Sequence, residues 1–407
     1  MKVDDKRHRS IVWLVPSLAG GGAERTVVNL TAAFQARGID CAIGVLQPLV
    51  DYPTQVHVES LTPYGIRRPE LWPVLGLRKL RQLETGRRAE ATISFTTFAN
   101  LLNTRTSDSV YPRYVSIRTT LSRALFGPSR VAYRRLLQAY YPRATKVVAI
   151  SKFVADDAVS YLNLDPSRVH TVYNPVPIEE IERLSREALP EPWASELRDR
   201  FTVVATGRLS AEKGHALLLH VVAAMRRRGL DCRVLLAGKG ARLRDYVELA
   251  GALGLRVAEA SDSTDTQRAA DVVFLGFLKN PFAFMREAHA FAFPSAFEGL
   301  GQSLLEAVAS GATIVASDCD AGPREILAPS TDYRHRTHTV EQAAYGLLVP
   351  PPTIDWRESD PQIVEQWVDA FAHLQKRAPD MGRACRERAK DFAVETVTNA
   401  WVEMLGW

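Results

Sequence analysis

Long hydrophobic runs, clustered cysteines and internal repeats are all missing from this chain of 407 residues. No stretch approaches the roughly 18 consecutive apolar residues of a membrane-spanning helix. The apolar run Ile11–Val15 is too short for a signal peptide, so we expect a cytoplasmic protein. The four cysteines lie far apart and form no CxxC pair, which favours buried free thiols over a disulfide framework.

Acidic residues are scarce in one segment, although the net charge of the whole chain is only +5. Residues 61–143 hold 15 basic and 4 acidic residues. An arginine-rich solvated surface is one interpretation, and peripheral docking on an anionic membrane is the other. Nucleic acid is a disfavoured partner, because no recognisable binding module accompanies the segment.

The membrane interpretation depends on basic and apolar side chains that alternate along one predicted helix, Glu70–Leu83, and its flanks. The basic members are Arg67, Arg68, Arg78, Lys79, Arg81, Arg87 and Arg88. The apolar members are Leu71, Trp72, Val74, Leu75, Leu77 and Leu80.

Short apolar segments alternate with helical patterns along both halves of the chain, which predicts βαβ units and parallel sheets. Asn174–Pro177 interrupts the alternation and indicates a hinge. We therefore predict an α/β protein with two doubly wound, Rossmann-like domains that face a cleft. The predicted boundaries are 1–175 for the first domain and 176–389 for the second, with a final helical segment at 390–407.

Two polar stretches, Arg256–Ala270 and Pro329–Glu341, are predicted to be surface loops. The second contains His335 and His338, and we do not predict that this pair forms a metal site.

The strongest chemical signal is a pair of glutamates with seven residues between them, Glu298 and Glu306. The preceding segment Ala290–Pro294 predicts a buried strand, the glycine-rich residues 297–301 a tight loop, and Gly301–Ser310 a helix. Free N–H groups at a helix N-terminus favour anions. The first carboxylate can then reach ligand hydroxyls, and the second can hold a diol such as that of ribose.

A second strand–loop–helix unit carries cations. Gly207 allows close backbone approach, and Arg208 and Lys213 lie on opposite sides of a short loop, where both can point at one anion. Two cations beside a helix N-terminus are suited to a departing diphosphate.

These segments resemble the donor-binding region of the family 4 retaining glycosyltransferases, in which Glu-x7-Glu and Gly-Arg…Lys-Gly are hallmarks. The resemblance implies the GT-B architecture and a nucleotide-sugar donor, most readily a UDP-hexose or UDP-N-acetylhexosamine. It also implies a lipid-linked or polysaccharide-precursor glycan as acceptor, and a final segment that packs back on the first domain. No cofactor or metal is expected.

The resemblance assigns roles residue by residue. The residues assigned to catalysis are Glu298, Arg208 and Lys213. Those assigned to the donor are Gly207, Gly238, Phe277, Gly299, Leu300, Gly301 and Glu306, with Phe277 in a loop that lines the nucleobase pocket of the family. Those assigned to the acceptor side are Gly20, Gly21, Gly22 and Glu24. Asn100 and Arg118 join them as the polar candidates in the region where many family members carry a histidine.

Two features complicate the assignment. Many family members carry a first-domain histidine near the reacting sugar, whereas no histidine occurs here between His57 and His170. Asp318-Cys-Asp320 has the form of a metal-binding D-x-D element, but it lies in a segment that is not a metal site in this family. A nucleotide-sugar 2-epimerase of the same fold and a non-catalytic sugar-binding relative remain alternatives.

Overall fold

The computed structural model divides the chain into two compact units, one of residues up to Pro175 with Ala393–Trp407, and one of Val176–Phe392. The residues that the structure describes are 9–19, 21–50, 52, 54–62, 71–105, 111–124, 130–355, 357–374 and 381–407.

The first unit is built on a seven-stranded parallel sheet of order β3-β2-β1-β4-β5-β6-β7. Its strands are β1 (Ser10–Val15), β2 (Asp40–Val45), β3 (His57–Ser60), β4 (Ala91–Phe95), β5 (Arg113–Ile117), β6 (Lys146–Ala149) and β7 (Val169–Thr171). Its helices are α1 (Gly22–Ala36), α2 (Trp72–Leu75), α3 (Leu77–Arg87), α4 (Thr97–Arg105), α5 (Leu121–Ala124), α6 (Arg130–Tyr140), α7 (Lys152–Leu162) and the C-terminal helix Val394–Leu405.

The core of this unit centres on Trp13 of β1, whose ring lies 5.6 Å from that of Phe34 and 5.9 Å from that of Phe95. Trp401 of the C-terminal helix completes the cluster at 5.9 Å from Trp13. Every residue of β1 is buried because helices cover both faces of the parallel sheet, which explains its unbroken apolar sequence.

The second unit contains an eight-stranded sheet of order β10-β11-β9-β8-β12-β13-β15-β14, parallel except for the last pair. Its strands are β8 (Phe201–Thr206), β9 (Cys232–Ala237), β10 (Val257–Glu259), β11 (Val272–Gly276), β12 (Ala290–Phe293), β13 (Ile314–Ser317), β14 (Glu341–Ala343) and β15 (Gly346–Val349). Its helices are α8 (Ile178–Ser185), α9 (Trp193–Asp199), α10 (His215–Arg227), α11 (Leu243–Ala252), α12 (Thr264–Ala269), α13 (Phe282–Glu287), α14 (Gln302–Ser310), α15 (Pro323–Leu327), α16 (Pro361–Leu374) and α17 (Met381–Ala389), which makes the C-terminal helix α18.

In the sheet of the second unit, the strands that follow β8 in sequence lie first on one side of β8 and then on the other. The strands β9, β11 and β10 lie on one side of β8, whereas β12 and β13 lie on the other. In doubly wound sheets such a reversal creates a crevice at the carboxyl ends of the strands, which is where ligands bind. The loops that follow β8 and β12 therefore flank the expected site.

The prediction of two doubly wound α/β sheets is confirmed, and three local predictions are wrong. Residues 256–270 form β10 and α12 rather than a loop; β10 pairs with β11, and Ser263 caps α12 by accepting from the Thr266 amide. The helix predicted over 70–83 is divided into α2 and α3 at Gly76. The pattern of residues 211–227 also predicts one continuous helix, whereas the structure divides this segment at Gly214, whose φ of +66° ends a 3-10 turn before α10. Each helix in the described parts of the chain is too short or too polar to cross a bilayer.

Candidate functional site

The loop after β8 is fixed against the loop after β12 by direct backbone contact. A Cβ atom on Gly214 would lie 1.9 Å from the carbonyl oxygen of Pro294, so only glycine permits this approach. The Ala296 amide donates to the carbonyl of Glu212 at 2.9 Å. These contacts hold the two loops together at the reversal point of the sheet.

Charged side chains of the two loops meet at this junction. The Nζ of Lys213 lies 2.6 Å from Oε1 of Glu298, and the Ser295 hydroxyl donates to the same oxygen at 2.7 Å. The two charged side chains keep 22% and 10% of their exposure. Arg208 is exposed, and it makes no salt bridge within the described residues. The structure thus brings the three residues assigned to catalysis onto neighbouring loops, with one cation already paired.

The loop after β9 packs under the loop after β8. A Cβ atom on Gly238 would lie 1.8 Å from the carbonyl oxygen of Gly207, and the Gly238 amide donates to the Gly276 carbonyl at 2.7 Å. Beyond Gly276, the Phe277 side chain is 70% exposed at the carboxyl edge of β11. An exposed aromatic ring in this position is available for stacking against a planar group.

The helix α14 follows the loop after β12 and begins after Gly301, which has a φ of +97°. Its Glu306 is 9% exposed and faces the folded unit rather than open solvent. Residues 299–301 are all buried, and the Leu300 carbonyl packs against Gly322, where a Cβ atom would lie 1.7 Å from its oxygen. The donor contacts predicted for loop 299–301 therefore stay predictions, whereas Glu306 contributes a carboxylate to this region.

His215, which the sequence analysis did not single out, lies beneath the loop that carries Arg208 and Lys213. His215 begins α10, is buried, and places Nε2 3.6 Å from the Cβ position of Gly207. Burial lowers the pKa of His215 to about 4, and the charge of Lys213 adds to this shift. The imidazole is therefore neutral at pH 7, and it adds no third charge to the loop.

The Asp318 carboxylate is buried in an ion pair rather than presented to a ligand. Its oxygens accept from Arg324 at 2.6–3.1 Å and from the Thr337 amide at 2.7 Å. Arg324 also pairs with Glu341 at 2.7 Å. The D-x-D element thus anchors residues 337–341 to the sheet.

The acceptor-side residues lie at the carboxyl edge of the first sheet. Gly20 lies outside the described residues. Gly21 caps α1, Gly22 begins it, and the carboxylate of Glu24 folds back to within 1.9 Å of the Cβ position of Gly21. A side chain at position 21 would therefore require the Glu24 carboxylate to move.

Arg118 follows β5 and is held on several sides. Its guanidinium lies 4.9 Å from the centre of the Phe95 ring, donates to Thr26 at 3.2 Å and also donates to Asn174. Burial lowers the pKa of Arg118 to about 9, and the negative charge of Glu24 opposes this shift. Arg118 and Glu24 therefore stand close together, and Arg118 remains charged at pH 7.

The prediction of Asn100 as an acceptor-side residue is wrong, because its side chain is part of the core. Its amide group donates to the Ser116 carbonyl at 2.9 Å and to the Tyr141 hydroxyl at 3.0 Å, and its oxygen accepts from Ser94. Asn100 is buried, so it ties α4 to the sheet.

Three useful residues escaped the sequence reasoning: Ser295, His215 and Asn174. Ser295 lies two residues after the end of β12 and Asn174 three residues after the end of β7, so a search for polar residues shortly after strands finds both. His215 carries no such signal, since its role depends on how tightly α10 packs beneath the loop.

Two family models match the chain, one to each unit. The model described as Glycosyltransferase Family 4 matches residues 20–180. The model described as Glycosyl transferases group 1 matches residues 200–353, which contain both loops of the candidate site.

Similar proteins carry glycosyltransferase names. An uncharacterized glycosyltransferase of Methanocaldococcus jannaschii is 26% identical over 58% of this chain and 57% of its own length. The N-acetylgalactosamine-N,N'-diacetylbacillosaminyl-diphospho-undecaprenol 4-alpha-N-acetylgalactosaminyltransferase of Campylobacter jejuni is 28% identical over 47% of this chain and 46% of its own. The matches span about half the length of these two curated relatives.

A solved structure extends the likeness to the complete fold. Anabaena HepE, crystallised with UDP and glucose, superposes with a TM-score of 0.71 at 18% identity, covering 98% of this chain and 100% of that one. At this level of identity the likeness concerns the fold, which is that of GT-B enzymes. The two family models together match 315 of the 407 residues, and on these matches the chain belongs to the glycosyltransferases of the family 4 and group 1 type.

Proposed function

We propose that the protein transfers a hexose or N-acetylhexosamine from a UDP-sugar to a lipid-linked or polysaccharide-precursor glycan, with retention of anomeric configuration. The observation that carries the proposal is the meeting of Lys213 and Glu298 at the reversal point of the second sheet. That arrangement sets a cation for a diphosphate beside a carboxylate for sugar hydroxyls.

The donor would occupy the carboxyl edge of the second sheet. Arg208 and Lys213 bind the diphosphate, and the N–H groups at the start of α10 add their dipoles. Glu306 accepts hydrogen bonds from the ribose, and Phe277 stacks against the base. The UDP complex of HepE supports uridine as the nucleoside, since that protein shares the fold.

The proposed reaction breaks the bond between the anomeric carbon and the diphosphate oxygen. The bonding electrons leave with that oxygen, and the acceptor hydroxyl oxygen attacks the anomeric carbon from the same face. The hydroxyl proton passes to the departing phosphate, so no separate protein base is required. Arg208 and Lys213 stabilise the charge that develops on the diphosphate, which takes the place of a metal ion.

The acceptor assignment draws on both the first unit and a relative. The name of the Campylobacter jejuni relative specifies a diphospho-undecaprenol glycan, which supports a lipid-linked acceptor here. In the first unit, Arg118 and Glu24 supply one positive and one negative group at the edge of the sheet. Arg118 follows β5 in the region where many relatives carry a histidine.

A lipid-linked acceptor requires access to a membrane surface, and we place the proposed contact on α2 and α3, at the inner face of the membrane. Leu71, Val74 and Leu75 are exposed, whereas Trp72 and Leu80 are buried in the core and cannot insert. Arg67 and Arg68 lie outside the described residues. Arg78 and Arg81 are exposed on one face of α3, and they offer two cations to an anionic headgroup.

A donor screen tests the proposed function. Thermal unfolding would be followed with UDP-glucose, UDP-N-acetylglucosamine and GDP-mannose at equal concentrations. A ligand at about 100 times its Kd stabilises the folded protein by about 2.7 kcal/mol, so a true donor gives a clear upward shift. A shift with GDP-mannose alone contradicts the UDP-sugar assignment, and conversion of the sugar without an acceptor would instead indicate an epimerase.

A further inference from the structure

The ion pair between Lys213 and Glu298 occupies two groups that the proposed reaction needs for different parts of the donor. Lys213 belongs to the loop after β8, and Glu298 belongs to the loop after β12. Their 2.6 Å contact pairs the cation proposed to bind the phosphate with the carboxylate proposed to bind the sugar hydroxyls. Both partners lie in the second unit, within loops that the structure fixes to each other.

The two partners differ in their freedom to move. The Ser295 hydroxyl holds Oε1 of Glu298, and the Ser295 carbonyl accepts in turn from Ser317. Both serines are buried. Lys213 instead reaches the carboxylate through four flexible methylene groups from a partly exposed position. A competing anion would therefore draw Lys213 away while Glu298 stays in place.

We propose that Glu298 competes with the donor diphosphate for Lys213, so that the site favours a sugar-bearing nucleotide over the sugar-free nucleotide that remains after transfer. This inference rests on the proposed function. When a nucleotide sugar binds, its phosphate takes Lys213, and the sugar hydroxyls donate to Glu298 in place of the ammonium group. When only the nucleoside diphosphate is present, Glu298 loses Lys213 without gaining a sugar hydroxyl, and its negative charge disfavours the phosphate nearby.

The consequence is a device for product release. Before transfer, both charges of the pair find new partners on one ligand. After transfer, the carboxylate recovers Lys213 and repels the diphosphate, because a like charge at short distance disfavours binding. Glu298 is thereby a specificity-determining residue for the intact donor.

Isothermal titration of UDP and UDP-glucose onto the full-length protein tests the inference. Glu298→Gln keeps the shape of the side chain and removes its charge. We expect UDP to bind Glu298→Gln about twofold to fivefold more tightly than it binds the wild type, the upper part of the range that a partly exposed ion pair supports. UDP-glucose should bind the variant no more tightly than it binds the wild type, because the sugar loses a charged acceptor.

Two further variants make the result specific. Glu248→Gln removes an exposed carboxylate of α11 that has no part in the ion pair, so it should change the UDP affinity by less than about twofold, as expected for a screened charge. The double variant Lys213→Met with Glu298→Gln should lose the gain in UDP affinity. An equal gain from Glu248→Gln would reduce the effect to general electrostatics and overturn the inference.

The failure of this inference is separable from failure of the proposed function. A wild type that binds UDP and UDP-glucose, with UDP affinity unchanged or weakened in Glu298→Gln, overturns the competition alone. A wild type that binds neither ligand overturns the proposed donor and the inference with it. Retained tight UDP binding in the double variant would show that Lys213 does not bind the phosphate.

Discussion

The carboxyl edges of the two sheets are built in different ways. In the second unit, backbone meets backbone: Gly214 lies against Pro294, and Gly238 lies against Gly207. In the first unit, side chains hold side chains, as Arg118 lies between Phe95 and Asn174. A site made by close backbone contact leaves glycines in the sequence, whereas a site made by long side chains leaves no such mark.

The difference teaches where sequence reasoning on this protein is dependable. The tight loops of the second unit require positive φ and close approach, so Gly207, Gly214 and Gly301 are constrained by geometry. In the first unit, Asn100 and Arg118 are both polar and both near strand ends, yet one is core and the other reaches the edge. Only the packing of α4 distinguishes them.

Removal of the cation in the second unit should have the largest effect on activity. Lys213→Ala is expected to cost about 2–4 kcal/mol of transition-state stabilisation, as loss of one preorganised electrostatic donor does. The value of kcat/KM with the donor found by the screen measures this. Lys390→Ala, a surface change of the same kind, serves as the control, and undiminished turnover by Lys213→Ala would refute the assignment.

Acid should weaken the same edge through His215. The pKa of about 4 in the folded protein lies below the ordinary value of 6.5, so the unfolded chain takes up the proton first as the pH falls. The stabilisation is complete above about pH 6.5 and is lost toward pH 4, amounting to about 2–3 kcal/mol by pH 4.5.

Urea unfolding at pH 7 and pH 4.5 measures this acid sensitivity. His215→Asn should lose less stability between the two pH values than the wild type does. His338→Asn, at an exposed histidine, provides the matched control. An identical decline in both variants would show that the His215 imidazole does not contribute.

A matched pair of glycine substitutions tests the backbone contact. Gly238→Ala would place Cβ 1.8 Å from the Gly207 carbonyl at a φ of +150°, so a destabilisation of more than about 1 kcal/mol and weaker donor binding are expected. Gly251→Ala in α11 meets no atom within 4 Å and should stabilise by about 0.5–1 kcal/mol. If the free energy of unfolding changes in the same direction in both variants relative to the wild type, the contact between Gly238 and Gly207 does not exclude a Cβ atom.

Loss of positive charge from α3 should have a smaller effect, and that effect should be on vesicle binding. Each arginine near an anionic surface contributes about 1 kcal/mol, so Arg78→Ala with Arg81→Ala should weaken vesicle binding by roughly 30-fold. Co-sedimentation with phosphatidylserine-containing and neutral vesicles measures it, and salt should lower the binding. Arg183→Ala with Arg186→Ala, at the C-terminal end of α8, removes the same charge elsewhere. Equal recovery on both kinds of vesicle, or none on either, contradicts a membrane contact here.

The smallest expected effect is that of chelation. Because Arg208 and Lys213 neutralise the diphosphate in the proposed donor site, EDTA should leave the rate of sugar transfer unchanged. Loss of transfer in EDTA with recovery on addition of manganese would show that a metal ion shares this role.

The fold could be predicted from the sequence, because buried parallel strands are continuous apolar runs such as Ile11–Val15 and Ala290–Phe293. The elements that escaped prediction have polar outer faces. The strand β10 and helix α12 lie in RVAEASDSTDTQRAA. Few residues of this segment are buried, so the periodicity of its apolar residues is too weak to predict a strand or a helix.

By itself the sequence determined the alternation of strands and helices, the glycines that permit tight loops, and the types of charge available after each strand. Tertiary structure alone decided which charges meet. Lys213 and Glu298 are brought to 2.6 Å because β8 and β12 are neighbours in the sheet, although β9, β10 and β11 separate them in sequence. It also decided that Asn100 and Asp318 are buried and fully bonded, since burial depends on elements that pack from distant parts of the chain.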